Sequence, residues 1–146
     1  MTTYIALLRA VNVAGKNKLS MADLRGLASD LGFGKARTLL QSGNLVFEAA
    51  GTTPDRLEKA LEAAAKSRLG LETDFFVRTR RQWAEVISSN PFRSQARRDP
   101  SHLVVMVMRA APSPAAVAAL AKGIDGRERL QAKGKQVYIV YPDGIG

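Results

Sequence analysis

The sequence predicts an α+β protein made of two ferredoxin-like β-α-β-β(-α-β) halves packed together. Three observations predict it. Short apolar runs alternate with helical stripes in the order β-α-β-β-α-β over the first half. The order β-α-β-β then recurs and stops, so the second half is expected to lack its last helix and strand. Leu8-Arg9-Ala10 and Met108-Arg109-Ala110 fall at the same place in each copy. The division is expected as 1–78 and 79–146, the two halves sharing one core.

The elements follow in order. Tyr4 to Leu8 is a continuous apolar run and reads as a buried strand. A polar loop covers Asn12 to Lys18. Ser20 with Asp23 three residues on starts a helix with the stripe Leu24, Leu27, Ala28, Leu31, and Gly32 ends it. Thr38–Gln41 and Leu45–Phe47 read as strands around a Ser42-Gly43 turn. Thr53-Pro54 opens a helix that buries Leu57, Leu61, Ala64 and Ala65 and stops at Gly70. Thr73–Val77 is the fourth strand. Thr79 and Gln82 cap the next helix, which Asn90-Pro91 breaks. Residues 92–101 read as a polar loop carrying Arg93, Arg97 and Arg98. A strand over Leu103–Met108, a helix from Ser113-Pro114, and a hairpin of Arg129–Ala132 with Val137–Tyr141 complete the chain.

Composition narrows the function. The chain has 146 residues, 46% of them hydrophobic, and contains no cysteine. Disulfides, thiolate metal sites and cysteine nucleophiles are therefore excluded. No apolar run approaches the roughly 20 residues that span a bilayer, and no signal-peptide pattern opens the chain, so a cytoplasmic protein with no membrane partner is expected. The net charge is +9. Residues 1–75 carry 10 basic and 8 acidic side chains, residues 76–146 carry 12 and 5. Such a field favours anionic partners.

Several motifs resemble one family. Tyr4-Ile5-Ala6-Leu7-Leu8-Arg9-Ala10-Val11-Asn12-Val13-Ala14-Gly15-Lys16-Asn17-Lys18, Met21-Ala22-Asp23-Leu24-Arg25, Gln41-Ser42-Gly43-Asn44-Leu45-Val46-Phe47, Asn90-Pro91-Phe92 and the closing Tyr141-Pro142-Asp143-Gly144-Ile145-Gly146 occur in the order found in domain-of-unknown-function family 1697, a bacterial family. The resemblance covers essentially the whole chain. It implies an α+β fold with two ferredoxin-like halves and implies no activity. Two departures stand out. The family's loop usually has two glycines after Asn-Val, and here the first is Ala14. Family members normally continue past the final Gly-Ile-Gly with a helix and a terminal segment. On that ground self-association through the incomplete second half is expected.

Screening for chemistry leaves one constellation. His102 is the single histidine and no ligand cluster surrounds it, so no metal or other cofactor is expected. Gly15-Lys16 lacks the P-loop pattern, since Ala10 stands at the first glycine position and Asn17 replaces the magnesium-binding hydroxyl. Gly32-Phe33-Gly34 has Arg37 where a dinucleotide fingerprint needs its third glycine. Glu72 and Asp74, two apart on the predicted strand, read as a solvated strand end before an acid–base pair. No catalytic residue is assigned. The β-α-β-β order does bring the loop after the first strand, the Ser20 helix start and the 41–44 turn to one edge. There Arg9, Lys16 and Lys18 supply cations, and Asn12, Asn17, Gln41, Ser42 and Asn44 supply neutral donors and acceptors. The helix start adds free N–H groups. This is the inventory of a site for a small phosphate- or carboxylate-bearing ligand; the alternative is that the amides bond the loop backbone. A runner-up is weak, non-specific nucleic-acid binding through the Arg93–Arg98 loop. Stacking of bases on Tyr4 and Phe47 is not expected, because the strands are apolar on both faces and so covered on both. A purely structural or interaction role is the third reading.

Overall fold

The computed structural model describes residues 1–9, 18–39 and 43–144, and the chain divides into two compact units, Met1–Ala84 and Glu85–Gly146. The protein is mixed α+β, with two antiparallel sheets and five α-helices among the described residues.

In the first unit β1 (Thr2–Leu8) alternates, burying Tyr4, Ala6 and Leu8. Helix α1 (Met21–Asp30) starts where Ser20 Oγ accepts the Asp23 N–H at 3.0 Å, an N-cap that satisfies one of the orphan donors of the first turn. Gly32, at φ +81°, turns the chain out of α1 at a backbone angle that side chains disfavour. Strand β2 (Gly34–Leu39) begins four residues before the expected Thr38. Its register slips between Gly34 and Arg37, and two of its three exposed positions hold Lys35 and Arg37, the third being Leu39, so its first part carries no apolar run to read. The remainder of the expected Thr38–Gln41 strand and the Gln41-Ser42 part of its turn lie outside the described residues. Strand β3 (Asn44–Ala49) follows. Helix α2 (Pro54–Leu69) is capped by Thr53 Oγ1 and closed by Gly70 at φ +60°, where Leu71 N–H returns to Ala65 O at 3.1 Å. Strand β4 (Phe75–Thr79) begins two residues later than expected, because residues 73 and 74 are still part of the connection from α2.

The sheet order is β2-β3-β1-β4, antiparallel throughout. One face packs under α1 and α2. Phe47 sits at its centre, stacked 4.5 Å from Phe33 and 5.7 Å from Tyr4, with Leu24, Leu61, Phe75 and Val77 fully enclosed. Each such side chain contributes about 1.5–3 kcal/mol by leaving water. On the opposite face Ile5, Leu7, Val46 and Phe76 are half-buried.

Strand β4 is an edge strand, and its alternate N–H groups point away from β1. All three are taken up by side chains. Phe75 N–H donates to Glu62 Oε2, Val77 N–H to Glu58 Oε2 and Thr79 N–H to Gln82 Oε1, each at 2.9 Å. Glu62 and Glu58 stand one turn apart on α2, so the helix lays two carboxylates along the strand. The edge is thereby closed to pairing with another chain. Glu58 also faces the buried Arg78 guanidinium at 3.8 Å. Burial works against the Arg78 charge, and Glu58 supports it.

Helix α3 (Arg80–Ser88) crosses the division between the units. Its start is a reciprocal cap, Gln82 N–H to Thr79 Oγ1 at 3.0 Å answering Thr79 N–H to Gln82 Oε1. The expected polar loop over 92–101 is instead helix α4 (Arg93–Arg98) and a 3-10 turn, Pro100–His102. Asn90 Oδ1 accepts the Phe92 N–H, and Phe92 O then accepts the Ala96 N–H, which relaunches the chain after Pro91. A six-residue helix without a buried face has no periodicity to read.

Strand β5 (Leu103–Val107), helix α5 (Pro114–Lys122), β6 (Arg129–Lys133) and β7 (Gln136–Val140) form the rest, with sheet order β5-β7-β6. Ser113 Oγ caps α5 through the Ala116 N–H at 3.1 Å. This is the order of β1, β3 and β2 in the first unit, and the match extends to single bonds. Leu8 N–H donates to Gly43 O just before β3, and Met108 N–H donates to Lys135 O just before β7. Val137 to Val140 are all at most 5% exposed, so β7 is covered on both faces. Ile139 faces the α5 side, and Tyr138, of opposite parity, donates its phenol to Val86 O of α3 at 2.5 Å.

Candidate functional site

The candidate edge is the end of the first sheet where β1 leaves and β3 and β4 begin. Leu7 is paired with Asn44, and Leu8 N–H donates to Gly43 O at 3.1 Å, so the departure of β1 lies beside the start of β3. Arg9 is held by β4's approach. Its N–H donates to Asp74 O at 3.1 Å, its carbonyl accepts the Thr73 hydroxyl at 2.6 Å, and its guanidinium pairs with Asp74 at 3.4 Å. The Arg9 side chain is 71% exposed, so this ion pair adds at most about 1 kcal/mol and opens at little cost.

Asn44 has a local partner. Its amide donates to Leu39 O at 2.9 Å and ties the end of β2 to the start of β3. Lys18 is exposed, immediately before the buried Leu19 and the capping Ser20. Arg9 and Asn44 are thus brought to one end of the sheet. Asn12, Lys16, Asn17, Gln41 and Ser42 lie outside the described residues. Thr73 and Asp74 were not among the expected site residues. The signal was the element order itself, since a fourth strand beside β1 must set residues 73–75 against 8 and 9.

The geometry also places the other titratable candidates. Glu72 and Asp74 precede β4 and do not act as a pair: Glu72 meets Lys66 at 3.4 Å and Asp74 meets Arg9. His102 Nδ1 contacts Asp99 Oδ2, whose other oxygen accepts the Ser101 hydroxyl at 2.7 Å. The Ser101 hydroxyl foremost, with His102, holds the Asp99 carboxyl below its usual range. Among the described residues no group of three potential metal ligands occurs, and no helix is long and apolar enough to cross a membrane. The apparent charge bias towards the second half also changes. Arg78, Arg80 and Arg81 belong to the first unit, which carries +5 against +4 for the second.

Fold and edge together define a two-unit α+β protein with a polar strand end in its first unit. The chain belongs to the family described as "Protein of unknown function (DUF1697)", which it matches over residues 1–138. Its fold is similar to that of the conserved bacterial protein SP0830 from Streptococcus pneumoniae, with a TM-score of 0.77 at 23% identity. The match covers 97% of this chain and 78% of that one. No curated protein matches the sequence significantly.

Proposed function

We propose that the protein binds a small phosphate- or carboxylate-bearing molecule at this edge, through Arg9, Lys16 and Lys18 with Asn12, Asn17, Gln41, Ser42 and Asn44. We also propose that the first unit is ferredoxin-like, which the strand order β2-β3-β1-β4 supports, and that the protein works in the cytoplasm. One observation carries the binding reading. The Leu8–Gly43 and Arg9–Asp74 backbone bonds start the segment after β1 beside the segment before β3, and an exposed arginine stands between them. An anion approaching Arg9 competes with Asp74 for an exposed guanidinium, where the pair resists weakly. The reading is of binding, since the carboxylate beside the cations, Asp74, is engaged in an ion pair with Arg9 and the Thr73 hydroxyl is bonded to the Arg9 carbonyl. The test is calorimetric titration with inorganic phosphate, pyrophosphate and a dicarboxylate. Lys16→Ala and Lys18→Ala should each weaken the preferred anion about tenfold, near the value of one charged hydrogen bond, with unchanged melting temperature. Absence of binding by every anion overturns the reading.

A second reading, non-specific nucleic-acid binding, is favoured by the exposure of Arg93, Arg97 and Arg98 together on α4. Tyr4 and Phe47 are in the core and offer no stacking platform, so such binding rests on charge and should fall steeply with salt.

A further inference from the structure

We propose that two copies of the protein pair through the outer edge of β5, antiparallel about a two-fold axis, and so join their three-stranded sheets into one. Backbone parity defines that edge. Met108 N–H donates to Lys135 O and Tyr141 N–H to His102 O, each at 2.8 Å, and the register between these bonds is unbroken, from Leu103 opposite Val140 to Val107 opposite Gln136. Bonded pairs alternate along an antiparallel ladder, so His102, Val104, Met106 and Met108 turn their backbone groups to β7. Those of Leu103, Val105 and Val107 point the other way, where β5 is last in its sheet. Leu103 N–H closes the 3-10 turn on Pro100 O. Among the described residues no hydrogen bond reaches the Leu103 carbonyl or either group of Val105 and Val107.

The first unit shows what such a side accepts. Leu8 N–H bonds towards β3 as Met108 N–H bonds towards β7, and the other side of β1 carries β4, antiparallel, with Ile5 opposite Arg78 and Leu7 opposite Phe76. The remaining sheet edges are protected. Strand β2 carries Lys35, Arg37 and a register slip, β6 carries Arg129 and Lys133, and the outward N–H groups of β4 are taken by Glu58, Glu62 and Gln82. Strand β5 reads Leu-Val-Val-Met-Val, with no charge, proline or bulge, and none of its five residues is buried. The occupant is a second copy because this strand complements itself. With Val105 on the axis, Val105 meets Val105, Leu103 meets Val107 and Val104 meets Met106. Every cross-strand pair is apolar, so no like charges oppose within the strand although each copy carries +9. Four main-chain bonds close the pairing, two between the Val105 residues and one from each Val107 N–H to a Leu103 carbonyl, and all use groups that have no other partner. Met106, 45% exposed in the single copy, is covered by Val104 of the other. Identical edges meeting about a two-fold leave none open, so association stops at the dimer.

The test is sedimentation velocity on the full chain over a range of concentrations, joined to single-cysteine cross-linking, since the sequence has no cysteine of its own. The protein should sediment at twice the mass of one chain. Met106→Lys sets two ammonium groups diagonally across the axis, and Val105→Pro removes an outward N–H that β7 does not use. Each should raise the dimer dissociation constant at least tenfold. Under oxidation Val105→Cys should cross-link with itself, because directly opposed Cα atoms stand about 5.5 Å apart, within disulfide reach. Leu103→Cys should cross-link only when mixed with Val107→Cys. A monomer at every concentration, an assembly larger than a dimer, undiminished dimerisation in Met106→Lys and Val105→Pro, or cross-linking of Leu103→Cys alone overturns the proposal.

Discussion

The two units share a β-α-β-β core with the same strand order, yet they differ at the end where their first strand leaves the sheet. In the first unit residues 9–20 connect β1 to α1, twice the length of the 108–113 connection between β5 and α5. Residues 40–43 connect β2 to β3, where Gly134 and Lys135 suffice between β6 and β7. The longer connections hold most of the lysines and amides of the candidate edge; the 108–113 connection is Met108, Arg109, Ala110, Ala111, Pro112 and Ser113, with no asparagine or lysine, and the 134–135 connection has one lysine and no amide. Length beyond what the core needs is where ligand contacts are built. A second difference lies at the opposite side of β1 and β5. In the first unit β4 covers β1, and Glu58, Glu62 and Gln82 close the β4 edge. In the second unit β5 is itself an edge of its sheet.

Substitutions sharpen that contrast. Glu58→Ala has the largest expected effect, a loss of about 3 kcal/mol, because it leaves the Val77 N–H without an acceptor and Arg78 buried without its counter-charge. Urea denaturation followed by amide exchange at Phe75 and Val77 measures it, and an effect no larger than that of a surface glutamate would show that the edge closure is incidental. Tyr138→Phe should cost about 1–3 kcal/mol, as the buried Val86 carbonyl loses its donor. The loss should fall on exchange in β7 and leave β1 and β3 unchanged. Asn44→Ala should cost about 1 kcal/mol for the amide that ties β3 to Leu39.

The smallest effect is electrostatic. Hydrogen bonding to Arg127 holds the Asp143 carboxyl below its usual range. A depressed carboxylate adds stability above its unfolded value, near pH 4, and that contribution is lost as pH falls through the lower folded value. The melting-temperature difference between the protein and Asp143→Asn should therefore be present at pH 7, vanish in acid, and shrink with added salt. A difference that grew in acid would reverse the sign of the argument.

Much of the fold was legible. Ser20, Thr53 and Ser113 cap helices where their sequence positions predict, because a hydroxyl before an apolar stripe acts locally. Strand β2 was legible only at its end, since its first two outward positions, Lys35 and Arg37, are charged and its register slips. Helix α4 was not legible, being set by Asn90 Oδ1 and two backbone bonds and carrying no buried face. The candidate edge was legible as a convergence of segments, but the tie of Arg9 to Thr73 and Asp74 depends on long-range pairing that no local pattern carries. The β4 edge caps were hidden for the same reason. Glu58 and Glu62 read as the solvated side of a helix until the strand is placed beside them.

The most direct test of the anion site is a nitrogen-15 NMR titration of the protein with inorganic phosphate. The account predicts saturable shifts at Leu8, Arg9, Lys18, Gly43, Asn44 and Thr73, with Val137 to Val140 undisturbed. Shifts confined to Arg93–Arg98, or no saturable shift at the β1–β3 end, would contradict it.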